Sequence, residues 1–514
     1  MSGESRSRAG TAPPAAVCPR GAQAARRTAR RAAWYRWFEV DDIPLTAAWV
    51  ARAMSASIVS GDPARVFAGV SIDSRTIAPG ELFIAIRGER FDGADFVPAA
   101  LQAGAAGVVV PAGRGGPIAA AAAPAAAAVL ETDDTIAALQ RLGRAVRRAS
   151  GARLVAITGS AGKTTTKEMA AELLAARYRV TRNRGNLNNH IGLPLSLIAL
   201  RRRPDVAVVE LGMSRAGEIR TLVRLAEPDV RVWTNVGEAH LGFFESVDAI
   251  AEAKAEILED AGPSSVLVAN ADDDRVMARA SAFRGRVVTF GLDRPAAVHA
   301  RRLVDRGVDG FTASVETPIG EVELATPLIG RGNAANLLAA TAVAIELGVP
   351  LEAIAERART LRPAPHRGEV VALRAGVVVI DDSYNANPTA TRRAIDVLAA
   401  GRGGGRPAGR RVALLGEMLE LGRQAVPLHE DVGRYAAAAA VDLLVAIGGE
   451  PARAIAAGAI AGGLPADAVR HFATSDEAAS AIPALVRAGD LVLVKGSRGI
   501  RTDRIVERLK AEFG

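Results

Sequence analysis

The segment at residues 154–167, LVAITGSAGKTTTK, constrains this chain more than any other. Residues 154–157 are apolar and have the length of a buried strand in a parallel sheet. Glycines then allow a tight turn, and a helix begins whose free N–H groups favour bound phosphate. The segment therefore predicts a phosphate-binding loop, in which Lys163 supplies a cation and Thr164 a hydroxyl that can ligate Mg²⁺.

This loop departs from the full G-x-x-x-x-G-K-[ST] pattern, because Ile157 stands where the first glycine would be. An alanine- and glycine-rich turn with no ligand is the alternative. The GKT triplet directly after an apolar strand favours nucleotide binding. The residues predicted to surround the nucleotide phosphates are Gly159, Ser160, Ala161, Gly162, Lys163, Thr164 and Thr165.

Composition and charge narrow the class of protein. A chain of 514 residues, 49% of them hydrophobic, predicts about three domains with a large core. The net charge of +8 is misleading, because residues 1–40 hold eight arginines against Glu4 and Glu39, a net of +6 that leaves +2 for the rest. The body is therefore not a basic nucleic-acid binder. No apolar run of about 20 residues predicts a membrane span.

Residues 1–43 are predicted to be a disordered or non-native N-terminal extension. A transit peptide is a further option, since the segment is rich in arginine and poor in acidic residues. Cys18, the only cysteine, lies in it, so the sequence predicts no internal disulfide and no cysteine-based metal site. This cysteine usage fits a reducing cytoplasm.

The remaining chain alternates short apolar runs with helical patterns, which predicts an α/β fold in three domains. Residues 44–150 predict a small α/β front domain, in which residues 111–128 are expected to form a loop. Residues 151–361 predict a central domain whose doubly wound sheet is mostly parallel. Residues 362–514 predict a second, Rossmann-like sheet domain. Two sheet domains that face each other suit a cleft that closes on its ligands.

Polar residues follow several predicted strands of the central domain. Glu210 ends one strand, where a carboxylate beside the phosphate loop can hold Mg²⁺ or form an ordinary salt bridge. His240 follows another strand and could ligate a metal or transfer a proton. Lys254 lies between small residues of a helix and is either a surface lysine or a buried one that reacts with CO₂ to form a carbamate.

Two further clusters are rich in amide and charged side chains. Irregular backbone at Asn186, Asn188, Asn189 and His190 could bind substrate oxygens or form a capped turn. In the third domain DDSYNANP follows a buried strand, and packing alone does not explain so many polar residues in a row. Lys495 and Arg498 place two cations on a Gly-Ser loop, which suits a carboxylate or a phosphate.

With these motifs the chain resembles the Mur ligases from about Leu45 to its C-terminus. The resemblance is to the branch that adds D-alanyl-D-alanine to UDP-N-acetylmuramoyl tripeptide, in the synthesis of peptidoglycan precursors. DDSYNANP and GEMLELG are the motifs most specific to that branch. The other matching motifs are ITGSAGKTTTKE, GNLNNHIGLPLSL, ELGMSRAGEI, TNVGEAHLGFFES, AKAEIL, GRGNAANLLAA and LVKGSRG.

The resemblance implies a role for each candidate residue. ATP would bind the central domain, with Lys163 and Thr164 at its phosphates, Asn333 or Asn336 at adenine, Arg367 at the phosphates and Asp382 at the ribose. Mg²⁺ would be held by Thr164, Glu210 and His240, and a carbamylated Lys254 would support a second ion. Ser74, Arg75 and Thr76 would lie at the uridine nucleotide, and Tyr384, Asn385, Asn387, Lys495 and Arg498 at the dipeptide and acyl acceptor.

Two positions differ from the family pattern. His366 precedes Arg367 where the family usually has glycine, and Ala94 stands where it commonly has histidine. The family further suggests a monomer in the bacterial cytoplasm that acts on small molecules. Its chemistry would be phosphorylation of a carboxylate by ATP to an acyl phosphate, followed by attack of an amine.

Three alternatives remain open from the sequence. Two are ligases of the same class, a sibling Mur ligase that adds a single amino acid and a folylpolyglutamate-type ligase, and DDSYNANP argues against both. The third is a nucleotide-dependent regulatory protein, which would leave the polar clusters of the third domain without a role.

Overall fold

The computed structural model describes residues 42–88, 90–122, 126–183, 185–401 and 409–514. The predicted extension at residues 1–43, with Cys18, lies outside the described residues apart from its last two positions. Residues 43–514 form one compact unit. In the part described, no helix is both long enough and apolar enough to cross a lipid bilayer.

The first part of the chain forms a five-stranded sheet in the order β2-β7-β6-β5-β4, with β2 antiparallel to its neighbour and the others parallel. A separate antiparallel pair joins β1 and β3. The strands are β1 (Leu45–Thr46), β2 (Ser57–Ser60), β3 (Val66–Phe67), β4 (Val70–Ser71), β5 (Leu82–Ile84), β6 (Gly107–Pro111) and β7 (Ala128–Thr132). The helices are α1 (Ala47–Met54), α2 (Val97–Gln102), α3 (Gly115–Ala122) and α4 (Thr135–Ser150).

The loop predicted over residues 111–128 is wrong, because α3 occupies its middle and β7 begins at its end. Alanine has the highest intrinsic helix propensity, and the two glycines and the proline lie in the first turn, where proline is tolerated, so the alanine-rich run forms a helix.

The central sheet has nine strands in the order β16-β15-β14-β13-β12-β11-β8-β10-β9. Its strands are β8 (Arg153–Thr158), β9 (Val180–Arg182), β10 (Val206–Glu210), β11 (Val230–Trp233), β12 (Val266–Asn270), β13 (Arg286–Gly291), β14 (Val298–Asp305), β15 (Phe311–Thr317) and β16 (Gly320–Thr326). Its helices are α5 (Lys163–Leu174), α6 (Gly192–Ile198), α7 (Glu218–Ala226), α8 (Val247–Ala255), α9 (Asp274–Ala280), α10 (Gly330–Glu346) and α11 (Leu351–Ala358).

The strands from β8 to β14 pair in parallel, as the alternating pattern predicts. An antiparallel extension, β14 to β16, was not predicted. Its side chains alternate between buried and exposed along β15, a pattern typical of an antiparallel sheet with one wet face.

The C-terminal sheet has six strands in the order β17-β18-β22-β19-β20-β21, and only the edge strand β17 is antiparallel. Its strands are β17 (Glu369–Ala372), β18 (Val378–Asp382), β19 (Arg411–Gly416), β20 (Leu443–Ile447), β21 (Val469–Phe472) and β22 (Leu491–Lys495). Its helices are α12 (Pro388–Ala400), α13 (Ala425–Ala438), α14 (Glu450–Ala461), α15 (Ser475–Leu485) and α16 (Asp503–Phe513). The fold is therefore α/β with three main sheets, as predicted.

Hydrophobic clusters cover both faces of each large sheet. Along β8, Leu154 and Ala156 pack on one face and Val155 and Ile157 on the other. The first of these clusters also contains Met54 of α1 and residues of α4, so the front domain and one face of the central sheet share one core. The boundaries at residues 43/44, 150/151 and 361/362 stay a prediction.

The position of the phosphate loop follows from the strand order. Strand β8 has β10 on one side and β11 on the other, so the chain leaves β8 at a point where the sheet order reverses. Ligands of open α/β sheets bind at the carboxyl ends of strands at such a point.

In the C-terminal domain, helices α13 and α14 approach closely because glycines lie between them. A Cβ at Gly433 would collide with the carbonyl oxygen of Ile455, and one at Gly458 with that of Glu430. We expect Gly433→Ala to lower the melting temperature by about 3–10 °C, because overpacking costs about 1–3 kcal/mol. Gly262→Ala is the matched control, since a Cβ there meets nothing within 4 Å. Equal melting temperatures of the two variants in scanning calorimetry would contradict this packing.

Candidate active site

The loop at residues 159–162 joins β8 to α5 in a conformation that needs glycine. Gly159 has φ of 148° and Gly162 has φ of 85°, both in the region that favours glycine. A Cβ would also collide with Thr234 Oγ1 at Gly159 and with Asn336 Oδ1 at Gly162. The glycines therefore allow the loop to lie against the end of β11 and against helix α10.

Two residues at the end of β11 hold this loop. The Asn235 side chain accepts from the N–H of Ala161 at 2.9 Å and donates to its carbonyl at 3.0 Å. Thr234 Oγ1 donates to the same carbonyl at 2.8 Å. Ser160 Oγ donates to the carbonyl of Gly237 and accepts from its N–H. These bonds fix the loop before any ligand binds.

Lys163 begins α5 and points its ammonium group back over the loop. Its Nζ donates to the carbonyl oxygen of Gly159 at 2.8 Å. Burial lowers the pKa of Lys163, Glu210 opposes that effect, and nearby Arg367 adds to it. The ammonium group therefore lies in a low-dielectric site where a further anion stabilises it.

Glu210, at the end of β10, is the acidic centre of the site and is only 2% exposed. Thr164 Oγ1 donates to one of its carboxylate oxygens at 2.6 Å, and Asn188 Nδ2 donates to the other at 2.5 Å. The backbone N–H of Glu210 donates to Asn183 Oδ1. A carboxylate, a hydroxyl and an amide thus converge beside the phosphate loop.

This set of groups fits Mg²⁺ better than a transition metal. Mg²⁺ prefers oxygen ligands and is usually bound by one or two carboxylates together with phosphate oxygens and water. Among the described residues, no cluster of three or more His, Cys, Asp or Glu could hold a metal without such outside ligands.

A cavity of about 640 Å³ opens between the central and C-terminal sheets. It brings together residues from both domains that the sequence predicted separately. From the central domain these are Ser160, Ala161, Gly162, Lys163, Thr164, Thr165, Asn186, Asn189, Glu210, His240, Asn333 and Asn336. From the C-terminal domain they are Arg367, Asp382, Tyr384, Asn385, Asn387, Lys495 and Arg498.

Some predicted residues do not line this cavity. Gly159, the first residue of the loop, is not exposed to the cavity, and Lys254 is buried at 1% exposure. Ser74, Arg75 and Thr76 form a turn of the front domain, where Arg75 is 85% exposed and pairs with Asp73 at 2.7 Å. Any role for that turn belongs to a different part of the surface.

Lys254, on α8, is buried beside the site, and no acidic side chain in the described part of the chain compensates its amine. Burial lowers its pKa well below the ordinary value, and the positive charge of Lys163 lowers it further. The structure shows no hydrogen-bond partner for its amine among the described residues, whereas the buried Lys167 donates to the carbonyl of Asn183 at 2.8 Å. The alternative of an ordinary surface lysine is therefore wrong.

His240 lies in a turn of the central domain and contacts the C-terminal domain. Its φ of 65° is positive, which is uncommon for a residue other than glycine. Its Nδ1 lies 2.6 Å from Glu420 Oε2, and this hydrogen bond lowers the pKa of Glu420. Glu420 also has a φ of 65°.

The C-terminal wall of the cavity carries its own charged groups. Lys495 Nζ donates to Asp382 Oδ2 at 2.6 Å and to the carbonyl of Asn385 at 2.9 Å. The guanidinium of Arg367 lies 4.1 Å from the ring centroid of Tyr384, and that of Arg498 lies 5.9 Å from it. The aromatic ring thus holds two cations at the cavity without neutralising their charge.

His366 occupies the position where the family usually has glycine, and its φ of 60° gives the physical reason for that preference. Its Nδ1 lies 2.8 Å from Oδ2 of the buried Asp381, whose other oxygen accepts from Ser383 Oγ. The backbone carbonyl of His366 accepts from the N–H of Tyr384. These contacts offset the cost of the left-handed backbone conformation of His366, which lies next to Arg367.

Some predicted residues also have a local structural task. Asn387 Oδ1 accepts from the N–H of Ala390 and caps α12, and Asn189 Oδ1 accepts from Gly192 at the start of α6. Asn333 Nδ2 donates to the carbonyl of Ile329, and Asn333 Oδ1 accepts from Asn336 Nδ2 at 3.4 Å.

The sequence predictions missed three residues that the structure places at the site. Asn235 holds the phosphate loop, Glu420 contacts His240, and Arg393 lines the cavity. The first two lie within motifs that the family resemblance brings out, so the motifs could have identified them. Arg393 lies on α12 in a helical pattern with no distinguishing signal.

The unpartnered amine predicts an unusual stability effect. We expect Lys254→Met to raise the melting temperature by at least about 2 °C, because an unpaired buried amine is replaced by an apolar group of similar size. Lys167→Met is the matched control and should lower it, since the carbonyl of Asn183 loses its partner, at a cost of about 1–3 kcal/mol.

The difference in stability between the wild type and Lys254→Met should depend on pH. The pKa of Lys254 in the folded chain is well below its ordinary value of 10.5, so the unfolded chain binds more protons at this lysine when the pH is below 10.5. The contribution of Lys254 to wild-type stability should therefore rise with pH, and the advantage of Lys254→Met should shrink as the pH rises toward 10.5. The measurement is thermal unfolding in CO₂-depleted buffer, and a melting temperature of Lys254→Met below that of the wild type at neutral pH would refute it.

Comparison with known proteins identifies the family. Three family models match the chain: the Mur ligase family catalytic domain at residues 66–147, the Mur ligase middle domain at residues 157–344, and the Mur ligase glutamate ligase domain at residues 366–498. The UDP-N-acetylmuramoyl-tripeptide–D-alanyl-D-alanine ligase of Bacillus subtilis is 35% identical over 444 residues, which cover 86% of this chain and 93% of that protein.

Solved structures agree with this family. A MurF crystal structure from Acinetobacter baumannii is 31% identical with a TM-score of 0.81, and the match covers 92% of this chain and all of the other. MurF ligase from Thermotoga maritima in complex with ADP is 27% identical with a TM-score of 0.73, and the match covers 86% and 97% of the two chains. The chain belongs to the Mur ligase family.

Proposed function

We propose that this chain is an ATP-dependent amide ligase that joins D-alanyl-D-alanine to the peptide carboxylate of UDP-N-acetylmuramoyl tripeptide, forming ADP and phosphate. The single observation that carries this proposal is the cavity itself. It places a phosphate-binding loop with Lys163 and Glu210 opposite a wall of cations, Arg367, Lys495 and Arg498. Relatives that span most of the chain carry the name of this activity.

The central side of the cavity binds ATP. The N–H groups at the start of α5 and the Lys163 ammonium group meet the phosphates, and the positive end of the helix favours their charge. Asn333 and Asn336 on α10 lie beside the loop, where they contact the adenine, and Asp382 reaches the ribose. A structure of similar fold holds ADP, which supports this use of the loop.

The reaction has two steps. A carboxylate oxygen of the tripeptide attacks the γ-phosphorus of ATP, the bond to the β-phosphate oxygen breaks, and ADP leaves. The amine of the dipeptide then attacks the carbonyl carbon of the acyl phosphate, the C–O bond to phosphate breaks, and the amine loses a proton. Lys163 and Arg367 stabilise the charge that develops on the transferred phosphoryl group and hold it in line with the carboxylate.

Mg²⁺ bound at Thr164, Glu210 and His240 would neutralise phosphate charge and polarise the transferred group. The hydroxyl and the carboxylate are already 2.6 Å apart at the end of the loop, which supports this assignment. Lys254 is buried near Lys163, and both effects lower its pKa, which favours the neutral amine that reacts with CO₂. As a carbamate it would carry the negative charge that a second ion needs.

The C-terminal wall binds the dipeptide. Arg498 offers a guanidinium to the dipeptide carboxylate, and Tyr384, Asn385 and Asn387 surround it with groups that bind peptide amides. Lys495 is 3% exposed and holds Asp382 and the Asn385 backbone, so its main effect is to fix that wall. Asn186 and Asn189 face the acyl end of the substrate.

The uridine nucleotide binds the front domain at the turn of Ser74, Arg75 and Thr76. We further propose that the chain acts as a monomer in the bacterial cytoplasm, where ATP and nucleotide-linked precursors are available. It binds neither nucleic acid nor a membrane as part of this reaction.

One assay distinguishes this function from its alternatives. With ATP, Mg²⁺ and UDP-N-acetylmuramoyl tripeptide, we expect ADP release to require D-alanyl-D-alanine and to be far slower with single amino acids. The physical reason is that a site with cations and amides placed for a dipeptide leaves buried polar groups unpaired when a shorter amine binds.

A sibling ligase or a folylpolyglutamate-type ligase would instead respond to a single amino acid. A nucleotide-dependent regulatory protein would release ADP without any amine. Either result excludes the proposed substrate, and product mass spectrometry confirms which amide bond has formed.

A substitution in the phosphate loop tests the ATP site. We expect Lys163→Ala to lower kcat by about a thousandfold, because a cation aimed at the transferred phosphoryl group is removed. Lys510→Ala is the matched control, since that lysine pairs with Glu507 on the last helix and should leave the rate within about twofold. Steady-state ADP release measures both, and a near-normal rate for Lys163→Ala would refute the assignment of the loop.

A further inference from the structure

The motif GEMLELG, residues 416–422, follows β19, and the proposed function leaves it without a task. Its backbone is rigidly held within the C-terminal domain. The N–H of Met418 donates to Nε2 of the fully buried His429, whose other ring nitrogen bonds the carbonyl of Ala425. The N–H of Leu419 donates to Ser497 Oγ at 2.9 Å. The segment is thus a rigid projection rather than a loose loop.

This projection meets the central domain at the turn that carries His240. Glu420 Oε2 lies 2.6 Å from His240 Nδ1, and the carbonyl of Glu420 accepts from the N–H of Gly242 at 2.7 Å. Both Glu420 and His240 have a φ of 65°. Two strained residues from different domains therefore face each other, and such strain concentrates at functional sites.

The two backbones approach so closely that side chains are excluded. A Cβ on Gly422 would lie 2.8 Å from the Cα of Gly242, and one on Gly242 would lie 3.0 Å from the carbonyl oxygen of Glu420. The contact between Glu420 and His240 therefore needs glycine at position 422, whose φ is also positive, and leaves little space for a side chain at position 242.

A second contact joins the same domains without touching His240. Arg392 Nη1 lies 2.9 Å from Glu238 Oε2, and neither residue lines the cavity. This pair provides an internal comparison for any effect of domain docking alone.

We propose that Glu420 is a positioning residue for His240, which the C-terminal domain supplies only when it docks on the central domain. The Glu420 carboxylate can only accept, so Nδ1 of His240 is the ring nitrogen that donates to it across 2.6 Å. The contact thereby fixes the orientation of the ring and leaves Nε2 for a ligand in the cavity that His240 lines.

The consequence is that docking and the chemistry of His240 are coupled. Without Glu420 the ring can rotate and populate either tautomer, and partners of this kind typically change metal affinity or activity by about 10–100-fold. This inference rests on the proposed function for the meaning of the rate, but the state of the ring is independent of it.

The first experiment therefore measures the ring and not turnover. The full chain, labelled with ¹⁵N-histidine, gives ring nitrogen spectra for its six histidines, and His240→Gln assigns the signal. We expect the Nδ1–H tautomer to predominate at His240 in the wild type. In Glu420→Asn the shorter side chain cannot reach the ring, and both tautomers should appear. Asparagine tolerates a positive φ, so the backbone of the projection is preserved.

The second experiment measures kinetics on the same variants. Glu420→Asn should lower kcat by about 10–100-fold with the KM for the dipeptide within about threefold. Glu420→Gln keeps the length and an acceptor oxygen, so it should restore the Nδ1–H tautomer and most of the rate. Arg392→Gln breaks the other domain contact and should leave the His240 spectrum unchanged and kcat within about threefold.

Several outcomes would overturn the proposal. An unchanged His240 spectrum in Glu420→Asn means that the carboxylate does not set the tautomer. If Arg392→Gln changes the His240 spectrum as much as Glu420→Asn does, contact between the domains in general sets the tautomer, and Glu420 has no special role. A chain without ligase activity in which the spectra still behave as expected would refute the proposed function and leave the positioning of His240 intact.

Discussion

The site depends on the way Asn235 and Thr234 bind the phosphate loop from the neighbouring strand. Their side chains bind both the N–H and the carbonyl of Ala161, so a glycine-rich turn has one defined shape before a nucleotide arrives. Ordering a flexible loop at the moment of binding costs roughly 1–2 kcal/mol per residue, and this cost is met during folding instead. The anchored loop in turn fixes the positions of Lys163, Thr164 and the start of α5.

Charge is distributed unevenly around the cavity, and this explains which ligands it suits. The basic residues that line it outnumber the acidic ones by one: Lys163, Arg367, Arg393, Lys495 and Arg498 stand against Glu210, Glu218, Asp382 and Glu420. Bound phosphates and carboxylates would be favoured by this small excess, which is consistent with a proposed reaction in which every substrate brings at least one anion.

The sequence predicted much of this site because strand ends are easy to recognise and meet at one edge of a sheet. Asp382 and Lys495 were selected separately, each at the end of an apolar run, and their side chains lie 2.6 Å apart in the structure. The fold class was correct for the same reason, and the predicted loop lies between β8 and α5 as expected.

Contacts between domains could not be predicted in this way. Nothing in the local pattern links His240 with Glu420, which lies 180 residues further along the chain, and Arg393 looks like any other helical arginine. The burial of Lys254 was equally hidden, because its sequence neighbours are small residues and not a hydrophobic stripe. Local propensity likewise could not reveal the antiparallel extension at β14 to β16, whose outer positions are polar.

The hydrophobic core shared by the front domain and the central sheet has a consequence for the length of peptide substrate that the site would accept. Met54 of α1 and Leu154 of β8 belong to one continuous hydrophobic cluster, so these two parts of the chain cannot shift independently. The shared core therefore restricts movement of the front domain relative to the phosphate loop. Under the proposed function, a substrate whose nucleotide binds at Ser74–Thr76 would present its carboxylate to Lys163 only if its peptide spans the distance between the two places. The rigid framework would then act as a molecular ruler for the length of the peptide.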